Sequence, residues 1–247
     1  MPAYPLSEGV FTIGRDKIFV PFDVEKHILN ERPIGSLLVE VQPFLVVAGE
    51  EVLVLDTGLG FKNSEGEMQL HANIRKAGYT PDQVTKVLIS HLHKDHAGGL
   101  MQVDANGIQK PSFSNAQYFI YRPEADFALA SGSPSYHPEK IEPILSSGQV
   151  VWLDGNEGRI NEHISFRHTG AHCPQHIVYL IDDEHTTHFF GGDEAPQWKQ
   201  IKMKYVAKYD FDGKKAMHLR MQWAEEGKKA HWNFLFYHDV KTPMMQM

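Results

Sequence analysis

Cysteine is nearly absent. Cys173 is the only one in 247 residues, which excludes an internal disulfide framework. Long apolar runs are missing as well. The longest, Ser36 to Val47, is broken by Glu40, Gln42 and Pro43 and falls short of the ~20 residues that a bilayer-spanning helix needs, so no membrane association is expected. The opening Met1-Pro2-Ala3-Tyr4-Pro5 lacks the basic start and apolar core of a secretory signal, and cytoplasmic residence is the expectation. Positive charge is in the minority, with 24 Lys and Arg against 31 Asp and Glu and a net charge of −7. A general nucleic-acid binder carries a basic footprint, so no nucleic-acid partner is expected. The one lysine-rich stretch, Lys199, Lys202, Lys204, Lys208, Lys214 and Lys215, reads as a solvated face rather than an anion-steering patch. Repeats and low-complexity linkers are absent too, as is a Gly-x-Ser-x-Gly elbow for a serine nucleophile.

What is present is a globular composition, 42% hydrophobic and 22% charged, read as one domain over residues 1–247. Apolar runs at Leu37 to Val47 and Val52 to Leu55, joined by Gly49-Glu50-Glu51, predict a hairpin. Strands are expected at Lys86 to Ser90, Gln117 to Tyr121, Gln149 to Leu153, Ile164 to His168, Ile177 to Ile181, Thr187 to Phe190 and Phe234 to Tyr237. Helices are expected from Met68 to Ala77 before Gly78, from Pro123 to Ala130, and from Asp212 to Glu226, with Asp212 as cap and Gly227 as stop. Another short helix is expected after Gly98-Gly99. Strands and helices in both halves, with no boundary between them, predict an α/β (α+β) sandwich of two mixed sheets flanked by helices.

The densest chemistry lies in His91-Leu92-His93-Lys94-Asp95-His96. In an extended segment His91 and His93 project to one side, while Asp95 and His96 follow where the chain must bend at Ala97-Gly98-Gly99. One short segment can thus feed two metal ions, His91 and His93 to one and Asp95 and His96 to the other. Asp95 and His96 at a helix N-terminus would suit a carboxylate electrostatically. A hydrolytic two-metal site needs more ligands, and three candidates end apolar strands: His172, Asp193 after Gly191-Gly192, and His238 after Phe234 to Tyr237. Loop ligands at strand ends are what a rigid scaffold with a site along one edge provides. His168, His176, His185 and His188 read as supporting or surface residues, and Cys173 as a small packing residue.

This order resembles the metallo-β-lactamase superfamily: Leu55-Asp56-Thr57-Gly58, the His91 to His96 motif, Thr169-x-x-His172, Gly191-Gly192-Asp193 and a terminal His238. The resemblance spans about residues 37 to 239. It implies an αββα sandwich with the metals between the edges of its two sheets. By motif, His91, His93 and His172 would hold one metal, Asp95, His96 and His238 the other, and Asp193 would bridge them. Asp56 would orient a ligand histidine through its other ring nitrogen. Nitrogen-rich ligands with a bridging carboxylate favour zinc, with manganese, iron or cobalt as alternatives.

The resemblance implies an enzyme acting on a small molecule, with Asp95 and Asp193 as its catalytic carboxylates. One large class of true β-lactamases carries Cys where this chain has Asp193, and that class is not expected here. Quorum-quenching lactonases of the superfamily place a Tyr three residues after the bridging Asp, but Asp193-Glu194-Ala195 leads to Pro196. Tyr209-Asp210-Phe211-Asp212 looks more like the branch containing methyl parathion hydrolase. The expected function is a dinuclear zinc hydrolase of an ester or lactone bond, with Asp95 moving a proton to the leaving group. Phosphotriester hydrolysis is the alternative in chemistry, and a non-catalytic metal-binding protein on the same fold the alternative in class. Pocket walls are expected from Tyr4 to Arg32, Asn106 to Asn115 and Pro196 to Tyr209. Trp198, Trp223 and Trp232 are candidates for an apolar wall, with core packing the commoner use of such residues.

Overall fold

A computed structural model of the chain describes residues 1–104 and 106–247. Two six-stranded sheets form its centre. The first runs in the order Ala3–Pro5, Phe44–Ala48, Glu51–Leu55, Lys86–Leu88, Gln117–Tyr121 and Val150–Leu153. Its last three pairings are parallel. The second runs Glu157–Arg159, Ile164–His168, Ile177–Asp182, Thr187–Phe190, Asn233–Leu235 and Met244–Gln246. It is antiparallel except between Thr187–Phe190 and Asn233–Leu235. Both sheets are therefore mixed, as expected.

The period of two in the strands sorts their side chains into layers. Leu53, Leu55, Leu88 and Phe119 face Phe166, Tyr179, Ile181, Phe190 and Leu235 between the sheets. Alternate residues Leu45, Val54, Val87 and Ile120 point outward and pack with Leu70, Ile74, Ala125 and Ile141. Those partners lie on helices Gln69–Lys76, Arg122–Ala130 and Pro138–Leu145. On the other side Val178, Phe189 and Phe234 meet Ile201 and Trp223, from helices Trp198–Lys202 and Gly213–Ala230. The result is the expected αββα sandwich. Burial of each large apolar side chain contributes about 1.5–3 kcal/mol relative to exposure. Among the described residues no helix is long and apolar enough to cross a membrane.

Three local expectations are corrected. The run Leu37 to Val47 is not one strand: Leu37–Val41 joins Gly9–Ile13 and Phe19–Pro21 in a third sheet, and only Phe44–Ala48 pairs with Glu51–Leu55. Pro43 falls at the break, where its ring removes a ladder donor. Gly227 does not stop its helix, which continues to Ala230 and ends at His231 in the left-handed region, φ 55°. Gly227 is there for contact, since a Cβ would sit 2.4 Å from the Phe234 ring. The short helix expected after Gly98-Gly99 lies before them, at Lys94–Ala97, and Met101–Val103 is a strand. Asp212 caps its helix as expected, accepting from the Lys215 N–H at 3.0 Å.

Candidate metal centre

The site forms where strands of both sheets run out at one edge. Lys86–Leu88 leads through Ser90 to His91 and His93, and helix Lys94–Ala97 follows at once, placing Asp95 and His96 in its first turn. The loop carrying Asp56 folds tightly against this segment. Thr57 donates from N and from Oγ1 to the His96 carbonyl, at 2.7 and 3.0 Å. Such closeness requires glycine on the facing chain, because a Cβ on Gly99 would lie 2.2 Å from the Thr57 carbonyl oxygen. Asp56 itself has φ 56°, a conformation that Asp tolerates better than most residues.

All seven side chains singled out as ligands meet here. His91, His93, His172 and Asp193 form one group of converging donor atoms, and Asp95, His96 and His238 form another. In the first, His93 Nδ1 lies 2.9 Å from His91 Nε2 and 3.3 Å from His172 Nε2. Two imidazole nitrogens on one tetrahedral ion with ~2.0–2.1 Å bonds are separated by roughly this distance. In the second, Asp95 Oδ2 lies 3.4 Å from His238 Nε2 and 3.7 Å from His96 Nε2. Asp193 stands between the groups. Its Oδ2 is 3.1 Å from His172 Nε2 and 4.0 Å from His91 Nε2, while its Oδ1 is 3.0 Å from His238 Nε2 and 3.2 Å from His96 Nε2.

The outer nitrogens of four rings are occupied. Asp56 Oδ2 accepts from His96 Nδ1 at 2.7 Å and from Ser90 Oγ at 2.7 Å, and Asp56 Oδ1 accepts from the Ser90 N–H at 2.7 Å. Ser90 Oγ also lies 3.1 Å from His91 Nδ1. Asp210 Oδ1 is 3.0 Å from His172 Nδ1, and the Glu40 carbonyl accepts from His238 Nδ1 at 2.6 Å. Contacts of this kind hold the outer nitrogen as the donor, so that once its proton is displaced each Nε2 would present its lone pair to the group centre. Sequence reasoning found Asp56 but missed Ser90, Asp210 and Glu40. Asp210 is the one with a signal, a carboxylate in a segment already singled out by resemblance.

Glu194, beside Asp193, was also missed. Its buried Oε1 accepts from Thr169 Oγ1, Ala171 N and His172 N at 2.8, 2.8 and 2.9 Å, fixing the loop that presents His172. Glu124 does the same for the histidine motif, accepting from Leu92 N at 2.9 Å. Burial pushes its carboxyl up to about 7. His176 lies behind Asp193 and accepts from its backbone N–H at 3.2 Å. His188 binds the Met1 carbonyl, and His185 is exposed. Cys173 is buried against Glu124 and its thiol is pushed well up by burial, which suits a packing residue better than a nucleophile.

The electrostatics ask for a cation. Burial opposes charge on His96, but the carboxylates of Asp193, Asp95 and Asp56 outweigh it and hold the imidazolium well above its ordinary range. The same contest raises His172 and takes His238 up to about 10. Burial and neighbouring imidazoles drive His91 well down, and His93 to about 3. Among the described residues, buried His96 Nε2 and Asp193 Oδ1 have close neighbours but no partner in hydrogen-bonding geometry, although an orphaned buried polar atom costs about 1–3 kcal/mol. Borderline nitrogen donors with carboxylate oxygens suit a divalent transition-series ion. The residues fit such ions on both counts.

A cavity of about 940 Å³ opens from this cluster. Tyr4 to Arg32 and Pro196 to Tyr209 contribute to its walls, as expected, through Ile13, Phe19, Gln200 and Tyr209. Asn106 to Asn115 does not, because Gln109–Pro111 pairs with Met101–Val103 in a ribbon of its own. The segments from Ser36 to Val39 and from Phe127 to Tyr136 take its place. None of Trp198, Trp223 and Trp232 reaches this cavity; all three pack in the outer core of the second sheet.

An αββα sandwich with a two-part His/Asp cluster at the sheet edge defines a class of metal-dependent folds. Residues 39–230 match the metallo-beta-lactamase superfamily, and the chain belongs to it. Among curated relatives, the lactamase-like protein notP of Aspergillus sp. (strain MF297-2) is 27% identical over 67% of this chain and 43% of its own length. An N-acyl homoserine lactonase of Bacillus sp. is 27% identical over 68% of this chain and 61% of its own. The chain thus spans less than two thirds of either relative. Of solved structures, a probable metal-dependent hydrolase from Staphylococcus aureus superposes with TM-score 0.79 at 19% identity, over 99% of this chain and 91% of that one. A dizinc quorum-quenching lactonase in complex with its product superposes at 0.71 and 20% identity, over 98% and 88%. At these identities the superpositions speak for the fold.

Proposed function

We propose that this protein is a dinuclear metal hydrolase that cleaves an ester or lactone bond of a small molecule. The observation that carries this reading is the placement of Asp193, with one carboxylate oxygen toward each ligand group. A single-ion or purely structural site has no use for that geometry. The lactonase activity of relatives such as the Bacillus protein supports the ester or lactone class over others.

His91, His93 and His172 would hold one divalent cation, Asp95, His96 and His238 the other, and Asp193 would touch both. Zinc is the first candidate on donor type. When bound, the two ions would supply Lewis acidity toward a carbonyl oxygen and a water of near-neutral pKa. The chain's residues do the rest. Asp56, Ser90, Asp210 and the Glu40 carbonyl keep the Nε2 lone pairs aimed. The apolar cavity wall excludes water from the acyl or alkyl part of the substrate. Asp95, which His96 and His238 keep ionised against the opposing effect of burial, would take the proton that the attacking water gives up and pass it to the departing alkoxide.

Metal loading should release protons. His96 is held well above its ordinary range and His238 at about 10 in the metal-free protein, so at pH 7 both carry protons that a cation must displace, and His172 is shifted in the same direction. The metal-free state holds more protons than the loaded state, and affinity must therefore rise with pH. Zinc titrated calorimetrically into apo-protein, in buffers of different ionisation enthalpy, is expected to show net proton release. Net uptake would contradict the ligand assignment. The activity itself is tested by pH-stat hydrolysis of a medium-chain lactone with zinc-reconstituted protein. Base consumption well above the zinc-only background is expected. Two bound metals with no turnover would sink the lactone assignment and bring phosphotriesters forward.

A further inference from the structure

The cavity beside the metal cluster carries three cations, Lys17, Arg32 and Lys94, all half-buried in its wall. In a chain with net charge −7, that is an inversion of the surrounding balance. Among the described residues none of the three has a carboxylate oxygen within 4.0 Å. Arg32 spends two of its donors on backbone carbonyls, Nε to Leu29 at 3.1 Å and Nη1 to Ser36 at 3.5 Å, and the remainder of its fork is unassigned. Lys94 Nζ stands 5.8 Å over the Phe19 ring. It feels Lys17 as a repelling neighbour, with Asp95 and Asp16 as the opposing acids. Among the described residues the cavity's acidic linings are Asp95 and Asp193, both turned to the ligand groups. The six exposed lysines between Lys199 and Lys215 do not line it.

Unpaired, half-desolvated cations are costly to keep. They repay that cost when a ligand anion arrives, because charge-assisted hydrogen bonds in such surroundings are strong. The same cavity has apolar wall, including Ile13, Phe19, Leu37, Val39 and Phe127. We propose that the cavity selects esters or lactones whose apolar body ends in an anionic group, with Lys17, Arg32 and Lys94 receiving the anion and the metal cluster receiving the scissile carbonyl. The proposal rests on the hydrolase reading for the carbonyl end alone. The anion could be a carboxylate or a phosphate on the same kind of chain.

The test begins with binding, so that it does not depend on turnover. Linear dicarboxylates from succinate to sebacate are titrated calorimetrically into zinc-loaded protein, against monocarboxylates of equal carbon number and the matching ω-phosphonocarboxylates. One carboxylate of each can meet the metals, and only the second anion differs. At some chain length the doubly anionic ligand is expected to bind roughly tenfold tighter or more, with the advantage shrinking at about 1 M salt. Which of the two series shows the larger advantage identifies the anion. Lys17→Gln and Arg32→Gln are each expected to cut the advantage severalfold, whereas Lys229→Gln, exposed on a distant helix end, leaves it intact. No advantage at any length overturns the proposal, as does an advantage that survives in both cavity variants, since the second anion would then sit on the metals. Phenyl hydrogen adipate and its neutral amide counterpart provide the kinetic arm, where the anionic ester is expected to have the higher kcat/KM. Binding preference without turnover of any ester would retain the anion site and discard the hydrolase reading.

Discussion

Replacing Asp193 by alanine is expected to abolish turnover, by on the order of a thousandfold or more, and to lower bound zinc to less than one ion per chain. The reason is geometric. Among the described residues Asp193 is the side chain whose two oxygens approach four ring nitrogens belonging to both ligand groups. It is also the anion that opposes burial most strongly at His96, His172 and His238. Without it, His91 and His93, already driven down by burial and mutual repulsion, face a cation with no compensating carboxylate. The fold should survive, because the Asp193 side chain touches the ligand cluster rather than the inter-sheet core. Far-UV circular dichroism and zinc content measured on the same sample separate the cases. Two tightly held zinc ions with normal turnover in a folded variant would remove Asp193 from the centre of the mechanism.

How far this could be read beforehand depended on sequence distance. His91, His93, Asp95 and His96 sit within six residues, so their offsets alone carry the geometry. His172, Asp193 and His238 each follow an apolar strand by three or four residues, and loops leaving strand ends on one side of a sandwich converge without further instruction. The partners that orient these ligands follow no such rule. Glu40 contributes only a carbonyl, 198 residues before the ring it meets, and a backbone acceptor leaves no trace in side-chain composition. Ser90 looks like any strand-end serine. Glu194 could be taken for a solvated neighbour of Asp193, yet it is fully buried and satisfies three donors.

The same distinction runs through the fold. Alternating and continuous apolar runs placed most strands, but Pro43 decided between one strand and two, and a run of hydrophobic residues does not reveal that choice. Gly227 carried a helix-stop signal that tertiary contact with Phe234 overrode. The cations of the cavity come from three segments far apart in sequence, and only folding sets them against one apolar wall. The lysines between Lys199 and Lys215 are the exposed, solvated face they were read as, and no local pattern marked Lys17, Arg32 or Lys94.

Asp56→Asn should cost the second ligand group about 10–100-fold in zinc affinity while leaving the group built on His91, His93 and His172 nearly unaffected. The substitution keeps the side chain's size, and Asn accepts the left-handed backbone that Asp56 adopts at φ 56°. What changes is the number of acceptors. Asp56 receives three hydrogen bonds, from Ser90 N, Ser90 Oγ and His96 Nδ1, and an amide cannot accept on both of its ends. With the amide oxygen toward His96, the NH2 opposes the Ser90 N–H, leaving a buried donor unmet at about 1–3 kcal/mol. With the NH2 toward His96, Nδ1 must act as acceptor and the ring proton moves to Nε2, the atom aimed at the metal. A merely structural role would appear as a lower melting temperature of the metal-free protein with unchanged zinc affinity. A role in orienting His96 weakens one of two zinc-binding steps in competition with a chromogenic chelator, and lowers turnover in proportion to the lost second ion. Equal weakening of both steps would mean that Asp56 braces the whole edge of the sandwich rather than one histidine.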